Sequence, residues 1–231
     1  YQYDSLQRLI AASTTGPEWG LSFGYDGFGN RTWQRVTKGS APVMELLIDG
    51  ATNRIMGGGY DANGNYGVGP YDAENRLVSS PYYGETYGYA PDNKRVLKLT
   101  GEQSEYYFYA PSGERLVTIP ADWVAVANVY FAGKLVRSNG QTVVTDRLGS
   151  VVYHAATGRT SYFPYGEEKT PATSNNRDKF ATYYRDSQSG LDYADQRYYA
   201  STQGRFLTAD RSASVSSWMP QSWNRYTYVY G

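Results

Sequence analysis

Apolar residues occur along this chain in short runs that are separated by polar and glycine-rich segments. Most runs have the length of a β-strand, and several alternate apolar with polar positions, which places one set of side chains on each face of a sheet. The pattern predicts strands at residues 44–48, 96–99, 105–109, 124–131, 143–144, 151–153 and 160–162. Helix signals are scarce, and only residues 176–184 and 192–199 contain enough helix formers to predict a short turn of helix.

The polar segments between these runs repeat a recognisable unit. A tyrosine ends one strand, an aspartate then accepts backbone N–H groups, a Gly or Asn adopts positive φ, and an Arg with an apolar residue opens the next strand. Each unit therefore predicts a β-hairpin, with Arg and Tyr of neighbouring units stacked across strands. Units begin at Tyr3, Tyr25, Tyr60, Tyr71, Tyr89 and Tyr109, and the last two carry Ala-Pro after the tyrosine.

Other short signals refine this picture. Asn139 followed by Gly140 is the strongest two-residue hairpin signal in the chain. Residues 170–175 and 212–220 are rich in proline and serine and are expected to form mobile loops. The chain therefore reads as hairpins joined in series.

Composition turns this pattern into a fold class. Leu, Ile, Val and Phe are sparse among the 231 residues, but 25 Tyr and 5 Trp can bury rings while keeping a polar atom paired. Many glycines and prolines interrupt any helix. We therefore expect an all-β protein with an aromatic core.

The charge and cysteine content limit the classes of binding partner and of chemistry that this chain can have. The formal net charge is zero, without long basic clusters, which argues against nucleic acid or an anionic membrane as the main partner. No apolar run is long enough to predict membrane insertion. The absence of cysteine excludes disulfides and thiolate chemistry. The N-terminal residues lack signal-peptide features and resemble a repeat in progress, so the chain is expected to start inside a longer polypeptide.

Several segments together resemble the Rhs/YD-repeat family. YDANGN and YDAENRLVS are similar to the family's commonest repeats, and later segments follow the order of its Rhs repeat-associated core. These later segments are TDRLGSV (145–151), ATG (156–158), YFPYGEE (162–168), SGLDYADQRYY (189–199) and GRFLTAD (204–210). The resemblance covers nearly the whole chain.

The resemblance implies a spiralling antiparallel sheet of hairpins that forms part of a shell or barrel, with a short helical or irregular segment near the C-terminus. It divides the chain into YD repeats at residues 1–140 and the associated core at residues 141–231. Family members enclose a toxic C-terminal segment or act as extracellular scaffolds. An extracellular or bacterial cell-surface location follows as an expectation.

The resemblance transfers a catalytic role to one position only. Many toxins of the family cleave themselves with a pair of aspartates, and the first lies four residues after a phenylalanine, as Asp210 follows Phe206. Here Arg211 stands in place of the usual proline, and the sequence ends at Gly231 before a second aspartate element. Residues 223–231 resemble the strand that leads into this second element in the family. Asp210 is therefore either half of a cleavage site or a turn aspartate.

Other candidate sites have simpler explanations. His154 is the single histidine and is expected on a sheet face beside Val152. Asp61 begins a calcium-loop pattern, but Tyr66 and Asp72 replace its required Gly and Glu, which favours a turn. Asn30 begins a glycosylation sequon, and the glycines at 57–59 favour close backbone packing over phosphate binding. The tyrosines favour packing over sugar binding. No metal and no cofactor are predicted.

Three functions follow as alternatives. The first is a structural shell or scaffold module that is not an enzyme. The second is a subunit of an extracellular fibre or tube, joined to identical subunits through unpaired strand edges at residues 1 and 231. The third is an autoproteolytic, toxin-enclosing core that uses Asp210. Expected partners are other YD-repeat segments, identical subunits or an enclosed toxin segment.

Overall fold

A computed structural model describes residues 1–211 and 215–228. The chain divides into two compact units: unit 1 combines Tyr1–Gly67 with Tyr199–Gly231, and unit 2 is Val68–Tyr198. The described residues contain β-strands and short 3-10 turns but no α-helix. The predicted all-β class with antiparallel hairpins is therefore confirmed. The division into repeats and associated core at residue 140 stays a prediction about family segments.

Unit 1 contains a five-stranded antiparallel sheet in which each strand pairs with the next along the chain. Its strands are β1 (Gln2–Tyr3), β2 (Leu9–Ser13), β3 (Trp19–Tyr25), β4 (Arg31–Gly39) and β5 (Met44–Glu45). A two-stranded hairpin, β6 (Ile48–Asp49) with β7 (Arg54–Ile55), follows. The longest pairing joins β3 to β4 from Trp19↔Gly39 to Tyr25↔Arg31, with a bulge near each end.

Unit 2 contains a ten-stranded antiparallel meander in strict chain order. Its strands are β8 (Ser79–Ser80), β9 (Glu85–Tyr89), β10 (Arg95–Thr100), β11 (Gln103–Tyr109), β12 (Arg115–Ile119), β13 (Val126–Phe131), β14 (Lys134–Ser138), β15 (Gln141–Thr145), β16 (Val151–His154) and β17 (Gly158–Arg159). Such sequential pairing is what hairpins joined by short turns produce.

The later strands are short. β18 (Arg177–Asp178), β19 (Tyr184–Arg185) and β20 (Asp192–Ala194) pair in order. β21 (Arg197–Ala200) pairs with β22 (Arg205–Phe206) through Tyr199↔Phe206 and Ala200↔Arg205. The 3-10 turns are Pro81–Tyr83, Phe180–Thr182 and Pro220–Trp223.

Most strand predictions are confirmed. The runs at 96–99, 105–109, 124–131, 143–144 and 151–153 fall wholly or mainly in β10, β11, β13, β15 and β16. The run at 44–48 is divided between β5 and β6, because its middle residues hydrogen-bond in two directions: Leu46 N–H donates to Thr32 O, and Leu47 O accepts from Met56 N–H. Residues 160–162 form only an isolated bridge, Tyr162↔Glu168.

The turn and helix predictions have mixed outcomes. Asn139 and Gly140 have φ of 50° and 70° and join β14 to β15, as predicted. Within 176–184 there is one 3-10 turn, but the predicted turn of helix at 192–199 is wrong. There the backbone forms β20 and β21, because Asp195 takes a φ of 70° that stops a right-handed helix. Mobility at 170–175 stays a prediction, and residues 212–214 of the other loop lie outside the described residues.

One five-residue turn recurs eight times in the described residues. The first residue donates its N–H to the carbonyl of the fifth and accepts from the N–H of the fourth. The fourth residue always has positive φ, between 57° and 102°, which explains why it is Gly or Asn in every turn except the first, where it is Gln7. The turns begin at Asp4, Asp26, Asp61, Asp72, Ala90, Ala110, Asp146 and Phe163. The first six are the units predicted from the tyrosines, and the last two were missed.

The aspartate in this turn holds it from within. Asp72 Oδ1 accepts the N–H groups of Glu74 and Arg76 at 2.9 and 3.0 Å, while Oδ2 accepts Arg76 Nε at 2.7 Å. Burial alone would raise the pKa of Asp72, but these hydrogen bonds and the Arg76 charge lower it below its ordinary value. Ala90 and Ala110 keep only the backbone bonds of the turn.

Tyrosines connect one turn to the next. Tyr25, Tyr89 and Tyr109 each donate a hydroxyl hydrogen bond to a carbonyl just after the preceding turn, at Leu9 (2.7 Å), Leu77 (2.6 Å) and Arg95 (2.9 Å). The cation of the preceding turn lies over the same ring, as Arg8 does over Tyr25 and Arg76 over Tyr89, both at 5.1 Å. The predicted stacking between neighbouring units is therefore confirmed, and each hairpin is fastened to its neighbour.

Candidate functional site

Asp210 lies in unit 1, just after β22. Its N–H donates to Arg225 O at 2.8 Å, and Phe206 N–H donates to Tyr226 O at 2.9 Å. Arg205 also forms an isolated bridge with Thr227. The segment 205–210 is therefore held against residues 225–227. The last residues of the predicted leading strand, 229–231, lie outside the described residues.

The backbone that leads to Asp210 is buried, although Asp210 itself is partly exposed. Leu207 is 2% exposed, and its carbonyl accepts from Tyr66 N–H at 2.8 Å. The Phe206 ring contacts the Tyr199 ring edge-on at 5.4 Å between centroids. These contacts fix the segment that leads to Asp210, which lies four residues after the end of β22. Its catalytic role stays a prediction.

A buried arginine five residues before Asp210 was missed by sequence reasoning. Arg205 Nη2 donates to Asn53 O at 2.6 Å, and its guanidinium lies 4.8 Å from the centre of the Tyr226 ring. Burial lowers the pKa of Arg205 from its ordinary value. With the described residues it forms no ion pair. The aromatic ring and the carbonyl therefore stabilise this cation in place of a carboxylate.

The remaining sequence candidates serve local structure. His154 lies partly buried in β16, and its Nδ1 accepts from Ala156 N–H at 3.2 Å, while burial lowers its pKa. Asp61 accepts the backbone and side-chain N–H groups of Asn65, at 2.9 and 2.8 Å, as a turn aspartate does. Gly67 N–H donates to Gly58 O at 3.0 Å, which shows the close backbone approach that the glycine run predicts.

Asn30 of the sequon is buried, with 2% of its surface exposed. Its Nδ2 donates to Asp26 Oδ2 at 2.7 Å and to Asn53 Oδ1 at 2.8 Å, and its Oδ1 accepts from Asn224 Nδ2 at 2.7 Å. A glycan on Nδ2 is incompatible with this network in the folded chain. Asn30 therefore serves the structure as a turn residue whose side chain joins the segments that contain Asp26, Asn53 and Asn224.

The largest concentration of chemistry lies in unit 2, at a buried ion cluster formed by Glu85, Arg95, Lys98, Glu105 and Asp186. A bulge between Arg95 and Leu97 puts Arg95 and Lys98 on the same face of β10 although they are three residues apart. Lys98 is directly opposite Glu105 on β11. Asp186 follows β19, so the cluster joins the meander to the short hairpins after residue 176.

Arg95 and Asp186 form a fully buried, two-pronged ion pair. The distances are 2.5 Å from Nη1 to Oδ2 and 2.9 Å from Nη2 to Oδ1, and both side chains are 0% exposed. Hydroxyls of Tyr198 and Tyr107 accept from the same guanidinium at 2.8 and 3.1 Å. Tyrosine rings surround it at 4.5 to 5.7 Å from Cζ, and they belong to Tyr87, Tyr107, Tyr184, Tyr193 and Tyr198. Aromatic faces thus enclose the charge and exclude water.

The other charged groups of the cluster have ionic or hydrogen-bond partners, except for one oxygen of Glu85. Lys98 Nζ lies 3.3 Å from Asp186 Oδ1 and 3.6 Å from Glu105 Oε2. Glu105 Oε1 accepts the hydroxyl of Tyr184 at 2.5 Å. Glu85 Oε2 accepts the Tyr87 hydroxyl at 2.8 Å, but its Oε1 is buried without a hydrogen-bond partner. Burial, together with the negative charge of Asp186, raises the pKa of Glu85.

Further buried ion pairs lie around the cluster. Arg185 binds both carboxylate oxygens of Asp192 at 2.7 Å, and Arg115 is paired with Asp178. Lys179 Nζ is 2.5 Å from Glu168 Oε2. None of these ion pairs was predicted from the sequence. The available signal was charged residues placed on the same strand face as tyrosines, as Glu105 is with Tyr107.

Among residues 1–211 and 215–228, no group of three or more His, Asp or Glu side chains is arranged to hold a metal ion. No helix within the described ranges has the length and apolar character needed to cross a membrane.

Known proteins place this geometry in context, although no family model matches the chain. The tRNA3(Ser)-specific nuclease WapA of Bacillus spizizenii and the tRNA nuclease WapA of Bacillus subtilis strain 168 are each 28% identical over 250 residues. The match covers 91% of this chain but 10% of each relative, so the chain spans about a tenth of their length.

Solved structures share the fold over the whole chain. TcdB2-TccC3 without its hypervariable C-terminal region matches with a TM-score of 0.73 at 18% identity, over 100% of this chain and 15% of that one. The Photorhabdus luminescens Tc holotoxin pore matches with a TM-score of 0.69 at 18% identity, over 99% of this chain and 14% of that one. At 18% identity these neighbours show a shared fold. The assignment to the Rhs/YD-repeat family stays a prediction.

One expectation needs correction. The sequence predicted that this protein is not an enzyme, and that prediction is wrong as a classification, because both curated relatives are named as tRNA nucleases. The prediction rested on the lack of a recognisable catalytic motif among these residues. That observation gives no information about the activity of longer polypeptides that contain such a hairpin series.

Proposed function

We propose that this chain is a wall segment of an Rhs-type shell within a larger, toxin-related polypeptide. The observation that carries the proposal is the series of interlocked hairpins, which matches a TccC3-containing chain from end to end yet covers only 15% of it. A wall built from one repeated turn can be extended in sequence without changing its local packing. Other segments of the polypeptide then supply the rest of the shell.

The hydrogen bonds that join each hairpin to the next support a role as part of a shell wall. Each tyrosine hydroxyl that binds the carbonyl after the preceding turn, as Tyr89 does at Leu77, adds a weak contact of about 1 kcal/mol. Repetition along the sheet turns these contacts into a rigid surface. The partners in this proposal are neighbouring hairpin segments, which add to strand edges such as β1.

The enclosed segment in this proposal is a toxin of the nuclease type. The names of both curated relatives support this choice, and the matched region is only 10% of their length. The polypeptide acts outside the cell that makes it, at the surface or in a secreted particle, as the multi-component toxin assemblies among the structural neighbours suggest.

Imaging of the natural polypeptide that contains this chain tests the proposal. We expect electron cryomicroscopy to show a hollow particle with residues 1–228 in its wall, and an internal segment that resists protease until the particle is denatured. A filament built by edge-to-edge addition would contradict the shell and support a fibre subunit instead. A solid particle would contradict both.

A second candidate function is self-cleavage at Asp210. The observation that favours it is the hydrogen bonding of residues 205–210 to 225–227, which holds Asp210 at a fixed, partly exposed position after β22. Mass spectrometry of the natural polypeptide should show a cleaved product that Asp210→Asn abolishes. Asp122→Asn, at an exposed turn aspartate that accepts Val124 N–H, is the matched control. Equal cleavage in Asp210→Asn and wild type would remove this function.

A further inference from the structure

A buried lysine of the ion cluster points its amine at an amide side chain. Lys98 is 2% exposed, and its Nζ lies 2.7 Å from Asn176 Oδ1. Asn176 Oδ1 also accepts the N–H of Ser187 at 3.1 Å. The two residues come from β10 and from the segment just before β18, so they are far apart in sequence. An ion cluster alone has no need of the carboxamide.

The groups around Lys98 are those that an acyl transfer to an amine requires. The reaction needs a nucleophile in contact with a carbonyl group, a base for its proton, a donor to the carbonyl oxygen and little water. Lys98 Nζ is the nucleophile, and Glu105 Oε2 lies 3.6 Å from it. Ser187 N–H polarises the Asn176 carbonyl. The Tyr184 ring lies 5.7 Å from Nζ and covers the amine side of the site, while Asn176 is exposed.

The two carboxylates beside Lys98, those of Asp186 and Glu105, have different roles. Both oxygens of Asp186 already accept from Arg95, so its negative charge is held in place and it positions the lysine. Glu105 has one oxygen occupied by the Tyr184 hydroxyl and the other facing Lys98. Glu105 is therefore the carboxylate free to take a proton. Asn176 is exposed at the surface, which gives a released small molecule a direct path to solvent.

We propose that Lys98 and Asn176 join in an intramolecular isopeptide bond. Lys98 loses a proton to Glu105, and the Nζ lone pair attacks Asn176 Cγ. Negative charge develops on Oδ1, where Ser187 N–H stabilises it. The Cγ–Nδ2 bond then breaks: Nδ2 takes one of the two protons that Nζ gives up and departs as ammonia, while Glu105 keeps the other. One C–N bond forms and one breaks, so no oxidant, reductant or further reactant is required.

The bond would hold the short hairpins of unit 2 to the meander covalently. Closing a long loop in this way limits the unfolded chain, as other cross-links do. A wall segment fastened in this manner resists being pulled apart. The inference does not depend on the proposed shell function, because it concerns chemistry within unit 2 alone.

Another buried lysine provides an internal comparison. Lys179 is 1% exposed, and its Nζ binds Glu168 Oε2 and the backbone carbonyl of Thr173 at 2.5 and 2.9 Å. No carboxamide side chain binds this amine in the described chain. Lys179→Arg is therefore a control that changes a buried lysine without removing a proposed reacting atom.

The decisive test is the intact mass of residues 1–231 under denaturing conditions. We expect the mass to be lower than the sequence value by that of one ammonia molecule. A tryptic digest should then contain one branched species that joins the peptides of Lys98 and Asn176, with no cleavage after Lys98. A full mass and separate peptides would overturn the proposal.

Variants separate this bond from other losses of ammonia, such as succinimide formation at Asn139-Gly140. Lys98→Arg keeps the charge but cannot form the bond, so it should restore the full mass, as should Asn176→Ala. Lys179→Arg should keep the deficit. A deficit that persists in Lys98→Arg would overturn the bond. Glu105→Gln should also restore the full mass, and a retained deficit there would overturn the role of Glu105 as the base.

Discussion

The two compact units share a turn but differ in what they bury. Unit 1 buries apolar side chains such as Leu21 and Phe23 together with neutral amides, and its buried charges are the arginines Arg31 and Arg205. Within the described ranges, every buried carboxylate belongs to unit 2. These carboxylates are Glu85, Glu105, Glu167, Asp178, Asp186 and Asp192. Unit 1 therefore buries charge only as arginine, whereas unit 2 combines an apolar cluster at Leu135, Val143 and Val151 with paired charges enclosed by tyrosine.

This difference teaches that the same hairpin series can carry two kinds of core. An apolar core loses stability in proportion to the surface it stops burying. A core of ion pairs is stable only while each charge keeps its partner, since an unpaired charge in a water-free site is very unfavourable. The two units should therefore respond differently to substitution and to pH.

The largest effect is expected where a buried charge loses its partner. Asp186→Ala leaves the guanidinium of Arg95 and the amine of Lys98 without their shared carboxylate. We expect the free energy of unfolding to fall by about 3–5 kcal/mol. Urea denaturation measures it, with Asp122→Ala at an exposed turn as the control that should change little. A loss in Asp186→Ala no greater than that of the control would contradict the ionic core.

Unit 1 should respond to loss of volume instead. Leu21 is 1% exposed on β3, and Leu21→Ala removes buried methyl groups and leaves a cavity. We expect a loss of about 3 kcal/mol in urea denaturation. This loss should be the same at pH 5 and pH 8, since the side chain does not titrate. A strong pH dependence of the difference would show that the core of unit 1 also relies on ionised groups.

A pH effect of intermediate size is expected at Asp192. Burial is the main cause that raises the pKa of Asp192 to about 6 from 3.8, against the pull of Arg185. Its contribution to the free energy of unfolding is therefore full below pH 3.8 and is lost as pH rises through about 6. The change across this window should be about 3 kcal/mol.

Asp192→Asn should remove that dependence. The free energy of unfolding of wild type and variant is compared at a series of pH values across the window. The Asp72 carboxylate supplies the opposite case, because its pKa is lowered and its contribution is lost as pH falls. Parallel pH profiles of wild type and Asp192→Asn would contradict the raised pKa.

The smallest effect concerns the fastening that both units share. Tyr89→Phe removes the hydroxyl that binds Leu77 O at 2.6 Å and leaves the ring in place. We expect a loss of about 1 kcal/mol in thermal or urea denaturation. Tyr82→Phe is the matched control, because the Tyr82 side chain is 88% exposed. Equal stability of the two variants would mean that the hydroxyl contributes nothing.

Sequence patterns predicted the turns of this fold better than its core. The unit of tyrosine, aspartate and positive-φ residue has a local cause, so the turns at Asp4 and Asp72 follow from neighbouring residues alone. The turn at Asp146 escaped because Thr145 and not a tyrosine precedes it, and the turn at Phe163 escaped because Phe follows Tyr162 where the other units have Asp or Ala. The predicted turn of helix at 192–199 failed because the backbone at Asp195 reverses its handedness, which propensity does not record.

The ion cluster could not be predicted for a different reason. Arg95 and Asp186 are separated by 91 residues, and a bulge decides which face Arg95 occupies. Neither fact is present in a local pattern. Asp210 was predicted as a candidate site residue from a family resemblance. The burial of Arg205, five residues before it, was seen only in the structure. Pairing across long stretches of chain thus determines where the charges lie.

A double-mutant cycle between Arg95 and Asp186 tests the central difference between the units most directly. The free energy of unfolding is measured for wild type, Arg95→Met, Asp186→Leu and the double variant. We predict that each single change is strongly destabilising, by about 3–5 kcal/mol, and that the double variant loses much less than their sum. Additive losses, with no coupling between the two sites, would contradict a core held by paired charges.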